Sequence, residues 1–94
     1  MEIVWRQVAL NGLENARQYI AERNPTAARR IFEAILSAVR RLADTPNIGR
    51  PGRVEGTREL VVVGTPYIIA YAVADGQLNI VAVQHGAQEW PERL

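Results

Sequence analysis

The chain has neither cysteine nor lysine and only one histidine. Without cysteine there is no disulfide framework and no thiolate chemistry. Without lysine there is no amine to move a proton. All eleven basic residues are arginine, whose guanidinium stays charged and pairs bidentately with carboxylate or phosphate. His85 stands alone, with no cysteine and no clustered carboxylates around it in sequence, so no metal site or other cofactor is expected. No Gly-Lys-Ser/Thr occurs, and Gly49-Arg50-Pro51-Gly52 has too few glycines for a phosphate cradle. No apolar run approaches the ~18 residues of a membrane span. Met1–Arg6 lacks the apolar core and small-residue cleavage site of a secretory signal, so the expectation is a cytoplasmic domain with no membrane partner.

Charge is nearly balanced overall, with a formal net of +1, and no general nucleic-acid footprint is visible. It is also unevenly spread. Residues 1–59 hold ten arginines against seven acids, but from Leu60 to Gln84 Asp75 is the single charged side chain. That uncharged span reads as three consecutive antiparallel strands, yet both faces of the pleat are apolar, where an antiparallel sheet ordinarily keeps one face polar. One face can pack on helices; the other calls for a further cover, in so small a chain a partner protein.

What is present reads as one domain, 1–94. Glu2-Ile3-Val4-Trp5 is a β-branched and aromatic run, a first strand. Ala9, Leu13, Ala16 and Ile20 recur at helical spacing, predicting a helix over Gln7 to Arg23. Asn24-Pro25 supplies an N-cap and a proline at the first helical position, starting a second helix that runs to about Ala43 with an apolar stripe of Ala28, Ile31, Phe32, Ile35, Val39 and Leu42. Arg29, Arg30, Arg40 and Arg41 lie off that stripe on a solvated face. The almost absent connection makes the two helices an antiparallel hairpin. Asp44 to Thr57 is a Pro/Gly/Arg-rich loop of roughly 14 residues, in which prolines and glycines exclude regular structure. Strands over Arg58–Val63, Tyr67–Ala74 and Gln77–Gln84 follow, the last two joined by an Asp75-Gly76 type I′ turn. That turn sets Tyr71 opposite Ile80, Ile69 opposite Ala82 and Tyr67 opposite Gln84. It puts Ile68, Ala70, Ala72, Asn79, Val81, Val83 and His85 on the other face.

In this order, Asn47-Ile48-Gly49-Arg50-Pro51-Gly52-Arg53, Thr57–Val62, Tyr67–Val73 and Val83-Gln84-His85-Gly86-Ala87-Gln88-Glu89-Trp90-Pro91 form a pattern that resembles the RelE/ParE superfamily of bacterial type II toxin–antitoxin toxins. Trp5, Tyr19-Ile20-Ala21 and Asn24-Pro25 agree with it, so the match spans nearly the whole chain. The resemblance implies an α+β fold, an antiparallel sheet in β-α-α-β-β-β order packed by an antiparallel helical hairpin. It also implies a toxin held by a cognate antitoxin that wraps it, with operator DNA met only through the antitoxin.

The resemblance carries two chemistries. ParE-like members inhibit DNA gyrase by protein contact, under a ParD-like antitoxin. RelE-like members cut messenger RNA on the ribosome, and need cations on the scissile phosphate with an acid and a base to move protons. For the second, the candidates are His85 as acid/base, Arg53 and Arg58 on the phosphate, and Tyr71. For the first, the partner-binding candidates are Arg50, Arg53, Ile68, Ala70, Ala72, Val81, Val83 and Trp90. The third strand is apolar where a phosphate surface wants cations, and no arginine occurs between Arg58 and Arg93, so the gyrase reading leads. A non-toxic antitoxin-binding module is the third reading.

Overall fold

The computed structural model describes residues 1–87 and Trp90. Strand β1 (Glu2–Trp5) leads through Arg6 into helix α1 (Gln7–Arg23), and helix α2 (Pro25–Asp44) follows at once. The junction works as the residue types demand. The Asn24 side chain accepts from the Ala27 N–H at 3.1 Å, Pro25 opens the helix, and the Asn24 N–H closes α1 onto the Ile20 carbonyl at 2.7 Å. The hydrophobic stripes of both helices then face one sheet. Ala9, Leu13, Ala16, Ile31, Ile35, Ala38, Val39 and Leu42 form one buried cluster with Tyr67, Ile69, Tyr71, Leu78, Ile80 and Val83.

The sheet has five strands in the order β1-β5-β4-β3-β2, with β2 Arg50–Pro51, β3 Arg58–Val61, β4 Tyr67–Ala74 and β5 Gln77–His85. The α+β architecture is the expected one, with three differences in detail. First, β1 pairs with β5 in parallel, Ile3 opposite Leu78 and Trp5 opposite Ile80, so the sheet is antiparallel except at this edge. The helical hairpin between them returns the chain to the same end of the sheet. Second, the 44–57 loop is partly regular: a 3-10 turn at Pro46–Ile48 and the two-residue β2 lie within it. Side chains from the sheet hold it there, as described below.

Third, the β4–β5 register changes midway. Asp75 and Gly76 both have positive φ, as a type I′ turn requires, and Ala74 faces Gln77 and Tyr71 faces Ile80 as the turn predicts. A bulge between Ala70 and Tyr71 then shifts the pairing by one, setting Ile69 opposite Val83 and Tyr67 opposite His85 rather than opposite Ala82 and Gln84. The extra residue in β5 turns every later side chain over. Val83 enters the helix-side core and Ala82 takes its place on the other face.

The face turned away from the helices carries Glu59, Val61, Ile68, Ala70, Ala72, Asn79 and Ala82, by register with β3 and β5. Its floor is shallow because three of these are alanine, and Ala70 and Ala82 are buried. The polar cover that the strands lack comes from outside them. Arg6 donates to the Asn79 side-chain oxygen at 2.8 Å on one flank. Arg53 pairs with Glu59 and stacks on Trp90 on the other. Gln88, Glu89, Pro91 and Arg93, named above from the sequence, fall outside the described residues.

Candidate functional site

The nuclease candidates are spread over the sheet. By register, Arg58 sits opposite Tyr71 and His85 opposite Tyr67. These pairs are four residues apart along β4, roughly 13 Å, and β3 and β5 lie about 10 Å apart across it. His85 and Arg58 therefore do not meet at one phosphate.

Each candidate has a local partner. Tyr71 is fully buried; its hydroxyl donates to the Pro46 carbonyl at 2.6 Å and accepts from the Gly49 N–H at 2.9 Å. Arg58 donates to the Gly49 carbonyl at 2.8 Å. Together they pin the 46–49 turn to the sheet. Gly49 is required there, since a Cβ would overlap the Tyr71 hydroxyl. Sequence periodicity had no means of finding this anchor, because it joins residues 22 to 25 positions apart.

Arg50 and Arg53 converge on Glu59, which is not among the residues the sequence singles out. The Glu59 side chain is 1% exposed and meets Arg50 at 3.2 Å and Arg53 at 3.5 Å. Its second oxygen accepts from the Arg53 main-chain N–H at 2.8 Å. A buried carboxylate needs this full set of donors to offset its desolvation. Arg53 then stacks its guanidinium over the Trp90 ring, 4.4 Å from the centroid. Loop, β3 and Trp90 are thus joined through one carboxylate. The Trp90 indole N–H is buried without a hydrogen-bond partner among the described residues.

His85 ends β5. Its ring lies edge-on to Tyr67 at 5.5 Å, and Nδ1 accepts from the Ala87 N–H at 3.0 Å. The neutral imidazole therefore carries its proton on Nε2. Burial, with Tyr19 alongside, pushes the Tyr67 hydroxyl above its ordinary value. These three rings line a cavity of about 580 Å³ between α1 and the end of β5.

Of the remaining partner-binding candidates, Val83 is a core residue after the bulge, and Ile68 and Ala70 are buried in the sheet. Ala72 and Val81 are half-buried. Exposed apolar side chains lie instead at Val61, Val63 and Val73, around the ends of β3 and β4. No group of three or more potential metal ligands occurs among the described residues, and no described helix is long and apolar enough to cross a membrane.

Comparison with known proteins agrees with this architecture. The chain is 42% identical over 92 residues to the candidate toxin Y4kP of Sinorhizobium fredii, covering 98% of this chain and 95% of that protein. It is 41% identical over 87 residues to Toxin RelE2 of Caulobacter vibrioides, covering 93% and 97%. A solved structure described as the chromosomal ParDE TA system from P. aeruginosa superposes with a TM-score of 0.82 at 22% identity, over 90% of this chain and 95% of that one, which shows a shared fold. Residues 3–90 match the model of the family described as the ParE toxin of the type II toxin-antitoxin system, parDE. The chain therefore belongs to the ParE toxin family of type II toxin–antitoxin systems.

Proposed function

We propose that this toxin acts by protein contact on DNA gyrase and is neutralised by a ParD-like antitoxin in the cytoplasm. The observation that carries the reading is the pairing of the loop cations. Arg50 and Arg53 are held by buried Glu59, and Arg58 by the Gly49 carbonyl. A ribonuclease stabilises developing charge on phosphate with cations aimed at that position. Here Arg50 and Arg53 share one carboxylate and Arg58 bonds the loop's main chain, while His85 sits elsewhere on the sheet. β4 and β5 offer no guanidinium to a phosphate, which suits a protein target better than RNA.

The test is inhibition of gyrase supercoiling by the purified toxin. Inhibition at micromolar toxin, relieved by an equimolar amount of the antitoxin encoded beside it, is the expected result. Full supercoiling at that concentration, with messenger RNA cleavage on ribosomes seen by toe-printing, would replace the reading by the ribonuclease one.

A further inference from the structure

The loop between α2 and β3 is tied down on both sides of Ile48–Arg53. The Pro46–Gly49 turn hangs on Tyr71 and Arg58. At the other end the Arg53 N–H bonds Glu59, and the Gly52 N–H bonds the Thr57 carbonyl at 2.8 Å. Main-chain groups fastened this way set the backbone of an exposed loop before any partner arrives.

The loop presents a pair of arginines. Arg50 and Arg53 are about half exposed, at 54% and 46%, although both reach Glu59, which is 1% exposed. Arg50 gives one terminal nitrogen to that carboxylate. Arg53 turns Nε to it and lays its guanidinium on the Trp90 ring. The other guanidinium nitrogens of both have no partner among the described residues. A guanidinium is a planar fork of donors; with one edge held by a buried carboxylate, the rest is set for a second pair of oxygens. Much of the rotamer entropy that an arginine loses on binding is then already lost in the folded chain.

The ligand chemistry follows from how far the cations extend. Arg50 and Arg53 against Glu59 leave one positive charge over, and β4 and β5 continue it with no guanidinium. A nucleic-acid strand is a row of phosphates and needs a row of cations. A single aspartate or glutamate on a protein needs one fork. Exposed Ile48 and half-buried Trp90 add the apolar and aromatic surface that surrounds such a contact in protein interfaces.

We propose that Arg50 and Arg53, positioned by buried Glu59, form the contact through which this toxin holds an acidic side chain of its protein target. The assignment deepens the gyrase reading and rests on it.

Binding of the full toxin to purified gyrase, and in parallel to the antitoxin encoded beside it, is measured by calorimetry. Arg53→Ala removes the fork but keeps the main-chain N–H on Glu59, and should weaken gyrase binding roughly tenfold or more. Arg53→Lys should restore little of that loss, because an ammonium keeps the charge without the planar fork. Glu59→Gln leaves both arginines present but unheld, and should weaken binding about threefold. Wild-type affinity should fall with added salt, and less steeply for Arg53→Ala, a difference that a merely structural role would not produce. Arg41→Ala, exposed on α2, should bind as wild type does. Circular dichroism checks that each variant folds; if Glu59→Gln does not, the two Arg53 variants decide. Equal gyrase affinity for wild type and Arg53→Ala overturns the assignment while leaving the gyrase reading intact. Loss of antitoxin binding by Arg53→Ala with gyrase binding unchanged would give the fork to the antitoxin and overturn the proposal. So would wild-type binding to a single-stranded RNA oligonucleotide that Arg53→Ala abolishes, which would give the fork to phosphate. No binding of gyrase by wild type at all would sink the gyrase reading itself.

Discussion

The two ends of the β3–β4–β5 sheet are built by different means. Around β3 and β2, side chains do the fastening. Tyr71 and Arg58 grip the Pro46–Gly49 turn, and Glu59 gathers Arg50, Arg53 and, through Arg53, Trp90. Around the far half of β5, backbone meets backbone. Gly12 lets α1 rest on the Val83 carbonyl, and a bulge turns Val83 into the core. The first region uses its arginines to hold its own loop. The second is closed by α1 and borders a groove lined by Asn11, Asn15 and Tyr19. Side-chain fastening and backbone packing are thus separated on one small sheet.

The largest effect expected is at the fastened end. Tyr71→Ala removes a fully buried aromatic ring and both hydrogen bonds to the 46–49 turn. It should cost about 3–5 kcal/mol, read as a drop in the denaturant midpoint. A loss below about 1 kcal/mol would mean the loop is held by something other than this anchor.

Gly12→Ala probes the other end, and its sign is the informative part. Alanine in an exposed helix interior stabilises by roughly 1 kcal/mol over glycine. Here the added methyl overlaps a main-chain oxygen that cannot rotate away, so a net loss of about 1–3 kcal/mol is expected by thermal denaturation. A gain in stability would show that α1 can lift off β5, and the distinction between the two ends would blur.

Glu59→Gln should have the smallest effect on stability, about 1–2 kcal/mol. The carboxylate is buried, but Arg50 and Arg53 are about half exposed and water screens them once released. Its clearer signature is optical. In a Trp5→Phe background, Trp90 emission should shift to the red as Arg53 loses its hold above the ring. Unchanged emission would separate Trp90 from the carboxylate.

Much of this frame was legible in local pattern. The helices follow from the period of Ala9, Leu13 and Ala16 and of Ile31, Ile35 and Val39, and from Asn24-Pro25. The hairpin follows from Asp75-Gly76, whose geometry dictates pairing as far as Tyr71 and Ile80. The bulge was not legible, because Ile68 to Ala72 and Asn79 to Val83 are apolar on both faces and a one-residue slip costs them little in hydrophobic pattern. Nor was the role of Glu59. A glutamate beside Arg58 reads as a solvent-facing residue, and its burial depends on a loop folding back onto its strand. The parallel pairing of the first strand had no local signal either, since its partner lies some 75 residues on.

By itself the sequence determined the elements, their order, the helical hairpin and the family to which the chain belongs, because caps, turns and hydrophobic periods act over a few residues. It also determined that β4 and β5 would carry no carboxylate or guanidinium of their own. Only the tertiary structure decided where the charges from the rest of the chain would go. Arg6 comes to Asn79, and Arg50 and Arg53 to Glu59, because a buried polar group must find its partner wherever the fold brings one within reach. The same long-range geometry decided that β1 ends at Trp5 while β5 runs on to His85, where α1 packs against it at Gly12.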